Sequence, residues 1–143
     1  MVMQRTITRV LLVVFGLVEA VVGIWPLLSP TGFYQDFPGF RTGWVAMDGA
    51  FNEHLLRDFG GLNLALAALL IGAAVIATTA VARLAGVAAL LFGLPHFLYH
   101  LGHVAHFVRL DQVLIIATTG LGVVVPLVVL LVPGRRVSPP ATP

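Results

Sequence analysis

Apolar residues run through this chain in four long blocks, and the few charged positions mark where each block begins and ends. A helix that crosses a bilayer needs about 20 predominantly apolar residues, and each block has roughly that length. The first covers 7–28, interrupted by Arg9 at its edge and by Glu19 within it. The second covers 59–78. Between Leu62 and Pro95 the single charge is Arg83, and one straight helix of that length would extend ~50 Å, too far for one crossing. The pattern therefore predicts a hairpin turning around Thr78–Arg83, with a third span over 84–101 and a fourth over 113–132. The segment 29–58 is the one long connection, and 137–143 (VSPPATP) reads as a short disordered tail. Residues 1–143 thus form a single transmembrane domain, an all-α, integral membrane four-helix bundle.

Composition supports lipid as the solvent. The chain is 59% hydrophobic and 10% charged, whereas a soluble domain carries about 25% charged residues. One soluble core of this size would not hide so much apolar side chain. A soluble enzyme, a disordered tail and a nucleic-acid-binding module are therefore excluded. All eight basic residues are arginine and, apart from Arg135–Arg136, they are scattered, so no basic stripe follows a phosphate backbone. Cysteine is absent, which removes disulfides, thiolate nucleophiles and Cys-ligated zinc or iron–sulfur sites. Arg5 and Arg9 ahead of the first block fit the start of a signal peptide. That block is long, however, contains Glu19, and ends in Trp25-Pro-Leu-Leu28 without a small-x-small cleavage pattern, so an uncleaved anchor is expected.

Four spans put both termini on one side. With the N-terminus inside, Arg5, Arg9, Arg83, Arg135 and Arg136 face the cytoplasm, while Arg41, Arg57 and Arg109 face outward. This bias predicts an N-in/C-in orientation. Small residues recur at four-residue spacing (Gly16/Ala20, Gly61/Ala65, Ala68/Gly72, Ala82/Gly86, Ala89/Gly93), which lets helix backbones approach closely in lipid. The long connection carries six aromatics, Phe33, Tyr34, Phe37, Phe40, Trp44 and Phe51. It reads either as a segment lying in the membrane interface, where aromatic rings are favoured, or as a lid over the outer mouth of the bundle.

All five histidines fall in the outer half under this topology. His96, His100 and His103 lie within about 60° of one another on a helix, a single stripe at i, i+4, i+7; His106 lies off it. The second span opens with Asn52-Glu-His-Leu-Leu-Arg-Asp58, in which His54 and Asp58, and likewise Glu53 and Arg57, are one turn apart. His-x3-His spacing lets two imidazoles reach one metal ion. The candidate ligands are His54, His96, His100, His103, Glu53 and Asp58, with Glu19 and Asn63 supporting them from the layer below. A charged Glu19 within a span costs about 2.5–3.5 kcal/mol and calls for a partner; His96 can supply one, or Glu19 stays protonated.

The cofactor expected of such a set is a divalent transition metal. Haem held by His54 and His100 is less favoured, because only one histidine lies at the edge of the second span. Competing readings remain open. The histidines can simply bond loop carbonyls and headgroups, Glu53–Arg57 can be a solvated ion pair, and the outer half can handle protons or a lipophilic solute without metal. The chain can also be a scaffold whose aromatic loop and small-residue faces bind another membrane protein or a second copy. The partners expected are the lipid bilayer and such a membrane protein, with no nucleic acid. No residue set points to a nucleophilic triad or a phosphate loop, so no catalytic residue is assigned.

Two segments carry a resemblance. Pro26-Leu-Leu-Ser-Pro-Thr-Gly-Phe-Tyr34, followed by Leu56-Arg-Asp-Phe-Gly-Gly-Leu-Asn-Leu-Ala-Leu-Ala-Ala67, resembles the DoxX-like group of small bacterial four-span membrane proteins. The best match is the opening of the second span, Arg57, Gly60, Gly61, Ala65 and Leu66. The resemblance implies a four-helix membrane fold in a bacterial plasma membrane and, for some members, association with thiol or sulfur redox systems at the membrane; the function expected here is service to a membrane redox or oxidative-stress system. The histidine stripe does not follow from the resemblance. Without cysteine, a redox role here needs a bound cofactor or a partner protein.

Overall fold

The computed structural model of the chain describes residues 2–41 and 43–132. The Arg135–Arg136 pair and the tail expected over 137–143 lie outside them. The described residues form six α-helices: α1 (Val2–Leu28), α2 (Pro30–Asp36), α3 (Trp44–Asp48), α4 (Glu53–Ile76), α5 (Thr79–His103) and α6 (Arg109–Leu131), with a 3-10 turn at Val104–His106. Four stretches are long and apolar enough to cross a membrane: Thr6–Leu28, Glu53–Ile76, Thr79–His106 and Arg109–Leu131. The architecture is the all-α four-span bundle that the apolar blocks predict.

Capping chemistry moves the boundaries. Asn52 accepts a hydrogen bond from Leu55 N at 3.0 Å, an N-cap that satisfies one of the free donors of the first turn. Helix α4 therefore starts at Glu53, six residues before the expected 59, because a capped polar turn can project beyond the apolar block (59 − 53). The hairpin between α4 and α5 is tighter than expected. Ala77 ends α4 in a left-handed conformation (φ 57°), and Thr78 caps α5 by accepting from Val81 N. Arg83 consequently lies inside α5. Pro26, Pro95 and Pro126 sit within the long helices, where neighbouring helices can satisfy the backbone groups that proline frees.

The helices associate as two antiparallel pairs, α1 with α4 and α5 with α6, which meet mainly along α4 and α5. Lipid is as apolar as leucine, so close packing and hydrogen bonds hold such pairs together. Gly23 and Gly60 face each other across the first pair. A Cβ on Gly60 would stand 2.7 Å from the Gly23 carbonyl, and one on Gly23 2.8 Å from the Gly60 carbonyl. Across the second pair, a Cβ on Gly93 would collide with the Gly122 carbonyl. Only glycine permits these approaches. Ala82, Gly86, Ala89 and Gly93 of the expected small-residue pairs are buried in α5, but Gly61, Ala65 and Ala68 are exposed and a Cβ on Gly61 or Gly72 would meet nothing.

The first pair is also clamped at both ends. Arg9 Nε donates to the Ala74 carbonyl at 2.9 Å, and Arg57 Nη1 donates to the Leu27 carbonyl at 2.7 Å. Each helix thus lends an N-terminal arginine to a C-terminal carbonyl of the other, where the backbone acceptors lack intrahelical donors and the helix dipole is negative. Away from the connection, Leu12, Leu70, Ala73, Ala74, Ala82, Ala85, Ala89 and Val129 form a core to which all four spans contribute. At the other end the connection folds into a cap, in which Trp44 packs with Phe107 and Ile115.

Candidate functional site

The cap is the structural outcome for the aromatic connection. Phe33 is 2% exposed and Trp44 8%, so these rings fill the end of the bundle instead of lying flat in an interface. Ring contacts run from Trp25 to Phe33 and Phe37, and from Phe37 to Trp44. They also run from Phe33 to Phe59, then Phe92, His96 and His100. Arg41 ties the cap to the start of α6, donating from Nε at 2.7 Å and from Nη2 at 3.2 Å to the two Asp111 oxygens. Such a two-pronged bond fixes orientation as well as distance. The Asp111 carboxylate in turn holds the Arg41 guanidinium above its ordinary, already basic range.

Under the cap lies a cluster of imidazoles around one carboxylate. Asp48, the last residue of α3, places Oδ2 3.9 Å from His100 Nδ1 and Oδ1 3.9 Å from His106 Nε2. These separations exceed a direct hydrogen bond and are of the kind a water bridges. His100 Nδ1 is buried without a hydrogen-bond partner, and Asp48 is the carboxylate facing it. Behind His100 stands His96, with ring centroids 4.6 Å apart in an edge-on arrangement. His96 itself stacks on Phe92 at 5.3 Å. The cluster leads from the half-exposed His106 through Asp48 and His100 to His96.

The other residues expected in a ligand set are elsewhere or otherwise engaged. His54 is 87% exposed and meets Asp58 Oδ2 at 3.3 Å on the surface of α4. Glu53 pairs with Arg57 at 2.8 Å, and this arginine also clamps α1. His103 turns outward, stacks on Tyr99 at 4.2 Å and bonds the Tyr99 carbonyl. Among the described residues no group of three or more His, Cys, Asp or Glu side chains is placed to hold a metal ion. The physical reason is that His54, Asp58 and Glu53 are engaged in exposed pairs along α4, while His103 is held by the Tyr99 carbonyl.

Glu19 and Asn63 are both buried, 7% and 2% exposed, but not beneath the histidines. The pairings Gly23 with Gly60 and Gly16 with Ala67 step one residue back along α4 for each residue forward along α1. Glu19 therefore lies level with Asn63 and Leu64. His96 stands one turn from Phe92 on the cap side, and Asn63 one turn from Phe59 on the far side. Because Phe59 and Phe92 pack together, His96 and Asn63 are roughly two turns, or ~11 Å, apart along the bundle. An aromatic layer separates the layers that hydropathy alone had merged.

Sequence reasoning missed Asp48 and left His106 off the histidine stripe. The signal was Trp44-x3-Asp48, which puts a ring and a carboxylate on one helical face; burial of that ring draws Asp48 over the histidines. Fold and site together define a class, a four-span helical membrane protein with a capped His–carboxylate end. Compared with known proteins, the chain matches no family model, no curated relative and no solved structure.

Proposed function

We propose that this chain is a bacterial plasma-membrane protein, N-in/C-in, whose outward-facing cap encloses a proton-exchanging His–carboxylate site. We further propose that it serves a membrane redox or oxidative-stress system as a small accessory protein. The observation that carries the site is Asp48, poised 3.9 Å from both His100 and His106. Protonation of either imidazole converts its contact with Asp48 into an ion pair and draws α3 onto the ends of α5 and the 3-10 turn. The groups that face this carboxylate are His100 on α5 and His106 in the 3-10 turn, with His96 behind His100. The resemblance to the DoxX-like group supports the redox assignment, and the arginine bias supports the orientation.

Hydrogen exchange in α3, measured in lipid nanodiscs at stepwise lower pH, tests the site. The protection factor, which is exchange corrected for its intrinsic base-catalysed dependence on pH, is expected to rise as the pH falls in the wild type and to lose that rise in Asp48→Asn. The same pH response in both proteins refutes the site. For the cellular role, loss of the protein is expected to sensitise cells to oxidants, with rescue by the wild type but not by Asp48→Asn. Equal rescue by both removes Asp48 from that role.

A further inference from the structure

The seam between α1 and α4 holds a second polar element that the capped end does not use. Asn63 donates from Nδ2 to the Phe59 carbonyl at 2.7 Å, and that bond fixes which way its amide faces. Turning the amide over would set Oδ1 against the Phe59 carbonyl, acceptor against acceptor. In the orientation present, Oδ1 is a buried acceptor with no donor. An unpaired buried polar atom of this kind costs about 1–3 kcal/mol, and in lipid no water is at hand to supply the bond.

Glu19 is the complementary anomaly. It is buried in the middle of a span, and no basic group among the described residues lies within ion-pair distance of it. Along the four spans the nearest ionisable side chains to this level are Arg9 on α1, Asp58 on α4, Arg83 and His96 on α5, and Asp111 on α6. His96 is cut off by the Phe59–Phe92 layer. An ionised Glu19 would add an unpaired charge beside an unpaired acceptor. A carboxylic acid carries one O–H donor, which is what Asn63 Oδ1 lacks. The backbone register brings the two residues to the same level.

We propose that Glu19 and Asn63 form a one-proton binding site within the α1–α4 seam, in which Glu19 is a neutral acid donating its O–H to Asn63 Oδ1. The ligand is a single proton. The site is separate from the Asp48 cluster and does not rest on it.

Isotope-edited infrared spectroscopy in lipid vesicles at neutral pH tests this directly. The chain has two glutamates, Glu19 and Glu53, and Glu53 is an exposed partner of Arg57. Carbon-13 labelling of glutamate therefore isolates Glu19. A labelled carboxylic-acid carbonyl band is expected, shifted in heavy water, lost in Glu19→Gln and retained in Glu53→Gln. In Asn63→Leu the band is expected to move as the O–H loses its acceptor. Labelled bands of carboxylate type only, at neutral pH, overturn the proposal; so does an acid band that Asn63→Leu leaves unmoved. Glu53→Gln removes an exposed partner of Arg57 and leaves the Arg57 bond to the Leu27 carbonyl available, so it decides the assignment even if Glu19→Gln fails to fold.

Discussion

Alanine at Gly60 and alanine at Gly61 should have opposite effects on this bundle, although the two residues are neighbours on one helix. A Cβ on Gly60 would stand 2.7 Å from the Gly23 carbonyl, against an ordinary contact of 3.4 Å or more, so α1 and α4 would have to part by about 0.7 Å (3.4 − 2.7). A Cβ on Gly61 meets nothing within 4 Å. Both variants gain the same helix propensity, about 0.8–1 kcal/mol, which cancels when they are compared. The difference between them is then the overpacking cost alone, about 1–3 kcal/mol, or roughly 5–150-fold in the unfolding equilibrium. Titration from mild detergent into dodecyl sulfate, followed by the fluorescence of Trp25 and Trp44, measures this difference. Gly60→Ala is expected to unfold at lower dodecyl sulfate than the wild type, and Gly61→Ala at the same or higher. If the two variants agree within about 0.5 kcal/mol, the margin within which independent substitutions add, the seam is not closed at Gly60 and the register argued from it fails.

Other contacts give further tests. Arg41→Ala removes both bonds to Asp111 and should free the cap, seen as faster proteolysis and hydrogen exchange over 37–48. Arg41→Lys should recover only part of the protection, because an ammonium does not reproduce the two-pronged geometry. Arg9→Ala and Arg57→Ala loosen opposite ends of the α1–α4 pair; their costs should add within about 0.5 kcal/mol in the double variant, as for distant sites. His54→Ala should change stability by no more than about 1 kcal/mol, the usual worth of an exposed ion pair, since His54 is 87% exposed. A larger loss in the unfolding titration would mean that His54 has a partner beyond Asp58.

The candidate site was legible only in part. Histidine spacing identified the stripe on α5, and His96 and His100 do stand together. It did not show that His103 turns onto Tyr99, or that the carboxylate facing His100 comes from the aromatic connection and not from α4. Periodicity gives the angle between residues on one helix but not the rotation of that helix against its neighbours. The glycines teach the same lesson. Gly60 and Gly61 are equivalent to any count of small residues, yet only Gly60 faces Gly23.

The sequence by itself determined the four spans, their approximate ends and the end of the bundle at which polar groups gather. These follow from the cost of exposing backbone and charge to lipid, which every residue feels independently of its neighbours. Only the tertiary structure decided that the connection is a packed cap, that Asp48 reaches two imidazoles and that an aromatic layer divides His96 from Asn63. Those outcomes depend on helix rotation and on which glycines meet, and both are set by steric fit between helices.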